Sequence, residues 1–153
     1  MHALELKIPP PIVALLIAAA MWGISLGAPA ASLPFTIRVV AAIAVAVAGV
    51  AFSIAGVAAF RRAKTTLNPL KPGTSSSLVT SGVYRFTRNP MYVGLALGLL
   101  GWAVFLSSAW SLLGPLVFLL YVTRFQIVPE ERVLSDIFGA AYSEYQARVR
   151  RWL

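Results

Sequence analysis

Four long apolar stretches follow one another along the chain, and the charged residues are concentrated outside them. The stretches cover about residues 9–26, 39–60, 91–106 and 109–125. As a helix with a rise of about 1.5 Å per residue, the second would be about 33 Å long, which is enough to cross a bilayer. Polar residues at 107, 108 and 111 indicate a turn between the last two stretches. The pattern therefore predicts an all-α polytopic membrane protein with about four transmembrane helices.

The C-terminal segment, residues 129–150, has a different pattern, in which apolar residues recur every three or four positions. This spacing predicts an amphipathic helix that lies on the membrane surface or folds over the preceding loop. Pro129 suits the first helical position, and the two acids after it suit the positive end of the helix dipole. Glu130 shares a face with Leu134 and should point inward, whereas Glu131 should remain solvated. The apolar positions are Leu134, Phe138, Ala141, Tyr145, Val149 and Trp152.

Composition narrows the possible chemistry. The 153 residues fit one domain, 59% of them are hydrophobic, and there is no cysteine to form a disulfide or a thiolate metal site. The single histidine, His2, lies at the N-terminus, so we expect no metal site.

The net charge of the chain is +8, but the basic residues flank the apolar stretches instead of forming one basic surface. We therefore expect contact with the lipid bilayer and no nucleic-acid partner. The positive-inside rule assigns the loop at 61–89 and both termini to the cytoplasm, and leaves Arg38 near the opposite face. Residues 28–30 resemble a signal-peptide cleavage site, but the first stretch is long enough to span and is interpreted as a retained helix. The expected location is a bacterial or archaeal inner membrane.

The segment before the third apolar stretch carries a cluster of polar and aromatic side chains. Arg85 and Arg88 either anchor the chain to lipid headgroups or hold the anionic groups of a ligand. Tyr84 and Tyr92 are either interfacial aromatic residues or a pair that binds a purine or a cation. Both interpretations stay open at this point.

Asn89 and Pro90 fit the cap and the first position of the third helix. Within that helix Gly94, Gly98 and Gly101 form a stripe of small residues, which favours close packing of another helix and permits a dimer. No strand precedes the stripe, so it is not a dinucleotide-binding fingerprint.

Two ordered blocks of the chain resemble a known family. The first block is Gly82-Val-Tyr-Arg-x-x-Arg-Asn-Pro-x-Tyr-x-Gly94. The second comprises Glu130-Glu131-x-x-Leu134 and Phe138-Gly-x-x-Tyr142-x-x-Tyr145-x-x-x-Val149. Their order and spacing are similar to those of the isoprenylcysteine carboxyl methyltransferase and phospholipid methyltransferase superfamily, and the resemblance covers about residues 66–153. It implies a single membrane methyltransferase domain, residues 1–153, that uses S-adenosylmethionine and has no Rossmann sheet.

The resemblance also implies where ligands bind. In the family the cofactor contacts the stretch before the tyrosine, an Arg-His-Pro-x-Tyr element and an acidic residue of the C-terminal block. The cofactor contacts carried over to this chain are Ser77, Leu78, Val79, Tyr84, Arg88, Asn89, Pro90, Met91, Tyr92 and Glu130. Asn89 replaces the histidine of many members and keeps the capacity to form hydrogen bonds. Gln126 stands where eukaryotic carboxyl methyltransferases have an arginine, so Gln126 and the nearby Arg124 are expected on the substrate side.

The function we expect is methyl transfer from S-adenosylmethionine to a small or lipidic acceptor at the cytoplasmic face. Carboxyl O-methylation is the first hypothesis, and a lipid amine or a thiol is the alternative acceptor. Transfer from a sulfonium needs in-line placement more than acid–base groups, so the shortage of histidine is compatible with it. An apolar or amphiphilic acceptor would enter from the bilayer and the cofactor from the cytoplasm. The hypothesis from another class is a non-catalytic helical membrane protein whose basic loop binds anionic lipid.

Overall fold

The computed structural model describes residues 5–29, 33–63 and 77–153. Its helices are α1 (Pro10–Gly27), α2 (Phe35–Arg62), α3 (Pro90–Leu106), α4 (Leu113–Val122) and α5 (Val128–Arg148). Single 3-10 turns at Gly82–Arg85 and Ala109–Leu112 precede α3 and α4, and a π-helical turn at Thr123–Ile127 joins α4 to α5. These ranges contain no strand, so the predicted all-α fold is confirmed. His2, residue 30 of the cleavage-like sequence and residues 64–76 of the basic loop lie outside the described residues.

Apolar helices dominate this architecture. Two of them, α1 and α2, and the continuous helical run Ala109–Arg148 are long and apolar enough to cross a membrane, whereas α3 is apolar but has only 17 residues. At about 1.5 Å per residue α3 still reaches about 26 Å, close to the thickness of the hydrocarbon layer. Large apolar side chains on the outer faces are more than half exposed. Such an apolar surface is typical of an integral membrane protein. They include Leu15, Leu26, Val40, Val47, Ile54 and Leu120.

Helices α2 and α3 run antiparallel and approach each other at glycine positions. A Cβ atom added to Gly94 would lie 2.5 Å from the carbonyl oxygen of Gly49, and one added to Gly101 would lie 2.9 Å from that of Ala42. Backbone at such a distance leaves no room for a side chain, so the two helices pack as the small-residue stripe predicts. A Cβ atom on Gly98, in contrast, would meet nothing within 4 Å. Gly98 is therefore not part of the contact.

Two polar contacts fix the position of α3 between its neighbours. Arg38 lies near the start of α2, and its Nε donates to the carbonyl oxygen of Phe105 at 3.0 Å, in the last turn of α3. Carbonyl groups at a helix end lack intrahelical partners, and the guanidinium supplies one. On the other side, Trp102 Nε1 donates to the carbonyl oxygen of Ala18 in α1 at 3.0 Å. These bonds attach the C-terminal part of α3 to α1 and α2.

The C-terminal helix differs from the predicted one in which residues it buries and in the residue at which it ends. Gly139 adopts a φ of 51°, which rotates the residues that follow, so that Tyr142 is buried and Ala141 is exposed. The predicted position of Ala141 on the apolar face is wrong, because three- and four-residue spacing assumes an unbroken helix. The helix ends at Arg148, and Val149 is extended. Residues 149–153 then run back beside the start of α3.

Candidate active site

A hydrogen bond between α3 and α5 joins the two sequence blocks. Tyr92 lies in the first turn of α3 and donates through its hydroxyl to Glu130 Oε1 at 2.6 Å. Glu130 lies in the first turn of α5, where Pro129 occupies an early helical position. The Tyr92 side chain is only 6% exposed. Glu130 thus points inward, as its helical face predicts.

The carboxyl group of Glu130 has an unusual electrostatic environment. Six charged residues between 130 and 148 make α5 too polar to cross the hydrocarbon, so this helix lies beyond the apolar part of the fourth span. The pKa of Glu130 is raised to about 8, mainly by burial, with the hydrogen bond from Tyr92 lowering it and Glu131 raising it. Glu130 is therefore mainly protonated near pH 7, and a cationic ligand would favour its carboxylate form.

The expectation that Glu131 remains solvated is wrong. Its side chain is 13% exposed and lies between two guanidinium groups. Arg88 Nη2 is 3.1 Å from Glu131 Oε1, and Arg151 donates to both carboxylate oxygens, at 3.0 and 2.6 Å. The returning C-terminal residues bring Arg151 to this position, and helical spacing along α5 contains no information about that return.

Backbone contacts hold the C-terminal residues against the first block. The backbone nitrogen of Arg88 donates to the carbonyl oxygen of Arg150 at 3.0 Å. Thr87 Oγ1 and Asn89 Nδ2 both donate to the carbonyl oxygen of Arg151, at 3.1 and 3.0 Å. Asn89 and Pro90 occupy the predicted cap and first positions of α3, although the Asn89 side chain makes no capping hydrogen bond. Its amide is used to bind the C-terminal residues instead.

Arg88 has donors that nothing in the described ranges satisfies. Its side chain is 11% exposed, and its Nε and Nη1 are buried without a hydrogen-bond partner among residues 5–29, 33–63 and 77–153. The pKa of Tyr142 is raised to about 12, mainly by burial and also by Glu131, while Arg88 lowers it. Arg88 is thus close to this ring. A buried guanidinium with open donors is suited to an anionic group. Arg85, by contrast, is exposed and fits the headgroup-anchoring interpretation.

The stretch before the first block packs beside the site. Val79 and Tyr84 form an apolar cluster with Ala59, Tyr142 and Tyr145, and partly buried Leu78 packs against it. Tyr145 donates through its hydroxyl to the backbone carbonyl of Tyr84 at 2.8 Å. Burial raises the pKa of Tyr84, with smaller contributions from Tyr145 and Glu130. Tyr84 and Glu130 are therefore near each other.

Tyr84 and Tyr92 do not form one aromatic pair, because their rings belong to different clusters. Pro90 is buried beside Tyr92, and Met91 is partly buried. Ser77, further from the block, donates through Oγ to the carbonyl oxygen of Ala63 at 3.3 Å. Of the predicted cofactor contacts, Tyr84 lies near Glu130, and Arg88 pairs with the adjacent Glu131. Leu78 and Val79 pack in the other apolar cluster, and Ser77 is bonded to the end of α2.

The two predicted substrate-side residues have separate environments. Arg124 is 45% exposed and pairs with Glu5 at 3.4 Å, so its guanidinium is used by the N-terminal segment. Gln126 is fully buried, and its Nε2 donates to the carbonyl oxygen of Ile8 at 2.8 Å. Its Oε1 has no partner among the described residues. Gln126 thus has an open buried acceptor, whereas Arg124 is engaged at the surface.

Sequence reasoning missed several residues of this region. Nothing in the sequence distinguishes Arg151 from the other basic residues near the C-terminus, and Thr87 lies between Arg85 and Arg88 without a motif of its own. Tyr121 lies within the fourth apolar stretch, and its buried hydroxyl lacks a hydrogen-bond partner in the described part of the chain. A polar hydroxyl within an apolar span was the available signal for Tyr121. The described residues contain no cluster of three or more acidic or histidine side chains suited to a metal ion.

An apolar groove opens beside the site, between α1, α2 and α3. It has a volume of about 480 Å³. It begins at Gly94, two residues after Tyr92, and continues past Gly98 to Trp102. The absence of a side chain at Gly98 keeps this part of the groove open. The groove is large enough for an apolar chain, and its walls are almost entirely hydrocarbon.

Comparisons with known proteins relate this geometry to a family. A family model described as phospholipid methyltransferase matches residues 37–141, more than half of the chain. An uncharacterized protein of Haemophilus influenzae is 43% identical over 63 residues, which are 41% of this chain and 100% of that protein. Protein-S-isoprenylcysteine O-methyltransferase of Schizosaccharomyces pombe is 36% identical over 75 residues, 47% of this chain and 30% of that protein.

Protein-S-isoprenylcysteine O-methyltransferase B of Arabidopsis thaliana is 35% identical over 91 residues, 58% of this chain and 45% of that protein. The matched part of the chain thus spans less than half the length of either named methyltransferase. No solved structure gives a significant match.

Proposed function

Since this chain belongs to the phospholipid methyltransferase family, we propose that it is an integral membrane methyltransferase that uses S-adenosylmethionine. The cofactor binds at the cytoplasmic end of α3, where Arg88, Tyr92 and Glu130 lie; we call this site the rim. The acceptor is a small or lipidic molecule. The observation that carries this proposal is the 2.6 Å hydrogen bond between Tyr92 and Glu130, which joins the two family blocks at one point.

The open polar groups of the rim fit the charges of the cofactor. S-adenosylmethionine supplies an electrophilic methyl group on a positively charged sulfur, together with an ammonium and a carboxylate. Glu130 offers a carboxylate to the cationic part, and the unsatisfied donors of Arg88 suit the carboxylate. The C-terminal residues keep Arg88 in place by way of Glu131 and Arg151.

The chain contributes placement more than proton transfer. Tyr92 and Glu130 come from two different helices, so a ligand between them is oriented by rigid elements. The surrounding apolar cluster of Val13, Phe118 and Ile127 excludes water, which strengthens electrostatic interactions with the ligand.

The groove beside Gly98 supports an acceptor with an apolar chain that enters from the bilayer. Two relatives are named protein-S-isoprenylcysteine O-methyltransferase, which also favours an apolar acceptor here. The reacting end of such a molecule would lie at the rim, where the groove begins near Tyr92.

Calorimetric titration of the purified protein in detergent with S-adenosylhomocysteine tests the proposal. We expect saturable binding, and we expect Glu130→Gln and Tyr92→Phe each to weaken it by about tenfold, since each removes one charged or polar contact. Glu144→Gln, at an exposed position of the same helix, should bind as the unmodified protein does. Absence of saturable binding would favour a non-catalytic protein whose basic loop binds anionic lipid.

A further inference from the structure

The apolar groove extends over a similar length on each of its three helices. Its lining residues lie within 94–102 of α3, 46–54 of α2 and 11–18 of α1. At about 1.5 Å per residue, each of these intervals rises about 10 to 12 Å. The shallow end lies beside the rim, because Gly94 follows Tyr92 by two residues. The groove therefore has a defined length below the candidate active site.

One bulky side chain crosses the deep end of the groove. The lining residues of α1 and α2 at this end are alanines, Ala18 and Ala46, whereas α3 contributes Trp102. Trp102 Nε1 donates to the carbonyl oxygen of Ala18 at 3.0 Å, so the indole reaches from α3 to the backbone of α1. A side chain that spans two helices closes the space between them at that depth.

Further contacts hold the indole in place. It stacks on the ring of Phe105, with the ring centroids 5.4 Å apart and the planes inclined by 17°. Arg38 of α2 donates through Nε to the Phe105 carbonyl oxygen at 3.0 Å, and its guanidinium carbon lies 5.8 Å from the centre of the Phe105 ring. The indole is thus attached to α1 directly and to α2 by way of Phe105, and both attachments resist its displacement.

One helical turn nearer the rim, the groove is open because Gly98 has no side chain. A Cβ atom at Gly98 would meet nothing within 4 Å, whereas one at Gly94 would collide with the backbone of α2. Gly94 is therefore needed for the packing of the two helices, and Gly98 is not. The missing side chain at Gly98 leaves space inside the groove, between the rim and Trp102.

We propose that Trp102 limits the length of the apolar chain that a methyl acceptor can carry, and that Gly98 provides the room for this chain. The inference rests on the proposed function, in which the reacting end of the acceptor lies at the rim. A chain that extends about 12 Å below Gly94 is contained in the groove. A longer chain meets the indole and must bend out into the bilayer.

The groove selects chain length by steric fit and not by hydrophobicity. Bilayer hydrocarbon is as apolar as the groove walls, so moving a methylene group from one to the other changes the free energy little. A chain that meets the fixed indole, in contrast, loses contacts or adopts a strained conformation. We therefore expect kcat/KM to fall beyond a limiting length instead of rising with every added carbon.

Acceptors that differ only in their isoprenoid chain test the proposal. N-acetyl-S-prenylcysteines with geranyl, farnesyl and geranylgeranyl chains are given to the purified protein in detergent with labelled S-adenosylmethionine. Each acceptor partitions into detergent equally in every experiment, so the ratio of kcat/KM for two chains compares variants directly. Trp102→Ala should raise the geranylgeranyl-to-geranyl ratio by about tenfold, since it removes the obstacle to the longer chain.

The matched control is Trp22→Ala, because Trp22 is 54% exposed and does not line the groove. Its ratio should equal that of the unmodified protein. An unchanged ratio in a Trp102→Ala protein that still binds S-adenosylhomocysteine would overturn the proposal.

Gly98→Leu should have the opposite effect, because its side chain would occupy the groove above Trp102. We expect the geranylgeranyl-to-geranyl ratio to fall by about tenfold. Gly23→Leu is the control, since a Cβ atom there also meets nothing within 4 Å but Gly23 lies outside the groove. Gly98→Leu removes no contact, so it remains a test even if Trp102→Ala fails to fold. Equal ratios in Gly98→Leu and Gly23→Leu would contradict the proposal.

A photoreactive chain end gives a readout that needs no methyl transfer. N-acetyl-S-farnesylcysteine with a terminal diazirine is irradiated with the protein, and the labelled residues are identified by mass spectrometry. We expect label at Trp102 and Ala18 that the unlabelled compound displaces, and loss of this label in Gly98→Leu. Label spread over the exposed apolar faces without displacement would mean that the groove holds only bilayer lipid, and would overturn the proposal.

Binding of S-adenosylhomocysteine separates this proposal from the proposed function. No binding by the unmodified protein would reject the proposed function itself. Binding together with unchanged chain-length ratios in the groove variants would reject only the roles of Trp102 and Gly98.

Discussion

Helix α3 is held by two contacts of different kinds. Along most of its length it packs against α2 through glycine, with the backbones of Gly94 and Gly49 in direct contact. The charged contact between these two helices, from Arg38 to the Phe105 carbonyl, lies at the far end of α3. Against α5 and the C-terminal residues it is held by the Tyr92–Glu130 hydrogen bond and by the guanidinium groups around Glu131. One contact depends on the absence of side chains, and the other on polar side chains brought from distant parts of the sequence.

The two contacts differ in whether they leave buried charged groups without a hydrogen-bond partner. At the α2–α3 contact no buried polar side-chain atom of residues 5–29, 33–63 and 77–153 lacks a hydrogen-bond partner, so this contact positions α3 and forms part of the wall of the apolar groove. At the rim the buried donors of Arg88 and the buried oxygen of Gln126 have no partners among the described residues. The turn at the opposite end of α3 also has buried hydroxyls without a described partner, at Ser108 and Ser111, but no buried charge. Because an unsatisfied buried guanidinium destabilises a fold more than a hydroxyl does, the open donors of Arg88 indicate an anionic ligand that completes them.

The largest effect is expected from filling the α2–α3 contact. Gly94→Ala places a Cβ atom against the Gly49 backbone, which cannot move independently. We therefore expect the free energy of unfolding to fall by about 2 kcal/mol or more. Thermal unfolding in detergent measures this loss. Gly98→Ala is the matched control, because its Cβ atom would meet nothing within 4 Å. Equal melting temperatures for the two variants would contradict the packing described here.

A pH dependence should distinguish the rim from the rest of the molecule. Burial raises the pKa of Glu130 to about 8, so below that pH a cationic ligand must displace its proton. Affinity for S-adenosylmethionine should therefore rise as the pH increases towards 8, by up to about tenfold per pH unit, and level off above it. Calorimetry between pH 6 and 9 measures the slope. In Glu130→Gln the slope should disappear, and a persistent slope would assign the proton to another group.

Sequence reasoning recovered the elements that depend on local pattern. Apolar runs predicted the helices, and two ordered motif blocks predicted the family, which is confirmed. It failed where distant segments meet: the left-handed Gly139 turns Tyr142 inward, and the return of the chain brings Arg151 to Glu131. Periodicity describes one helix at a time, so neither the burial of Glu131 nor the use of the Asn89 amide was predictable from it.

The contribution of the C-terminal residues can be measured at one side chain. Arg151→Gln removes the two hydrogen bonds that orient Glu131, so this carboxylate holds Arg88 less firmly. We expect S-adenosylhomocysteine binding to weaken by about fivefold, or about 1 kcal/mol. Arg150→Gln is the control, since the described contact of residue 150 uses its backbone oxygen. If both variants bind equally well, the C-terminal residues do not position Arg88.

The smallest effect is expected at Arg124, which the sequence placed on the substrate side. Its ion pair with Glu5 is 3.4 Å long, the Arg124 side chain is 45% exposed, and Arg132 remains beside the same carboxylate. We therefore expect Arg124→Gln to lower the free energy of unfolding by about 0.5 kcal/mol or less. Unfolding in detergent and the KM for the acceptor check this. A large rise in KM would return Arg124 to the substrate side.

The central claim is that the rim between α3 and α5 holds the cofactor. A structure of the protein with S-adenosylhomocysteine bound tests it most directly. We predict that the sulfur lies between Tyr92 and Glu130 and that the ligand carboxylate receives the open donors of Arg88. A bound ligand elsewhere, with the Tyr92–Glu130 hydrogen bond unchanged and the Arg88 donors still unsatisfied, would contradict the claim.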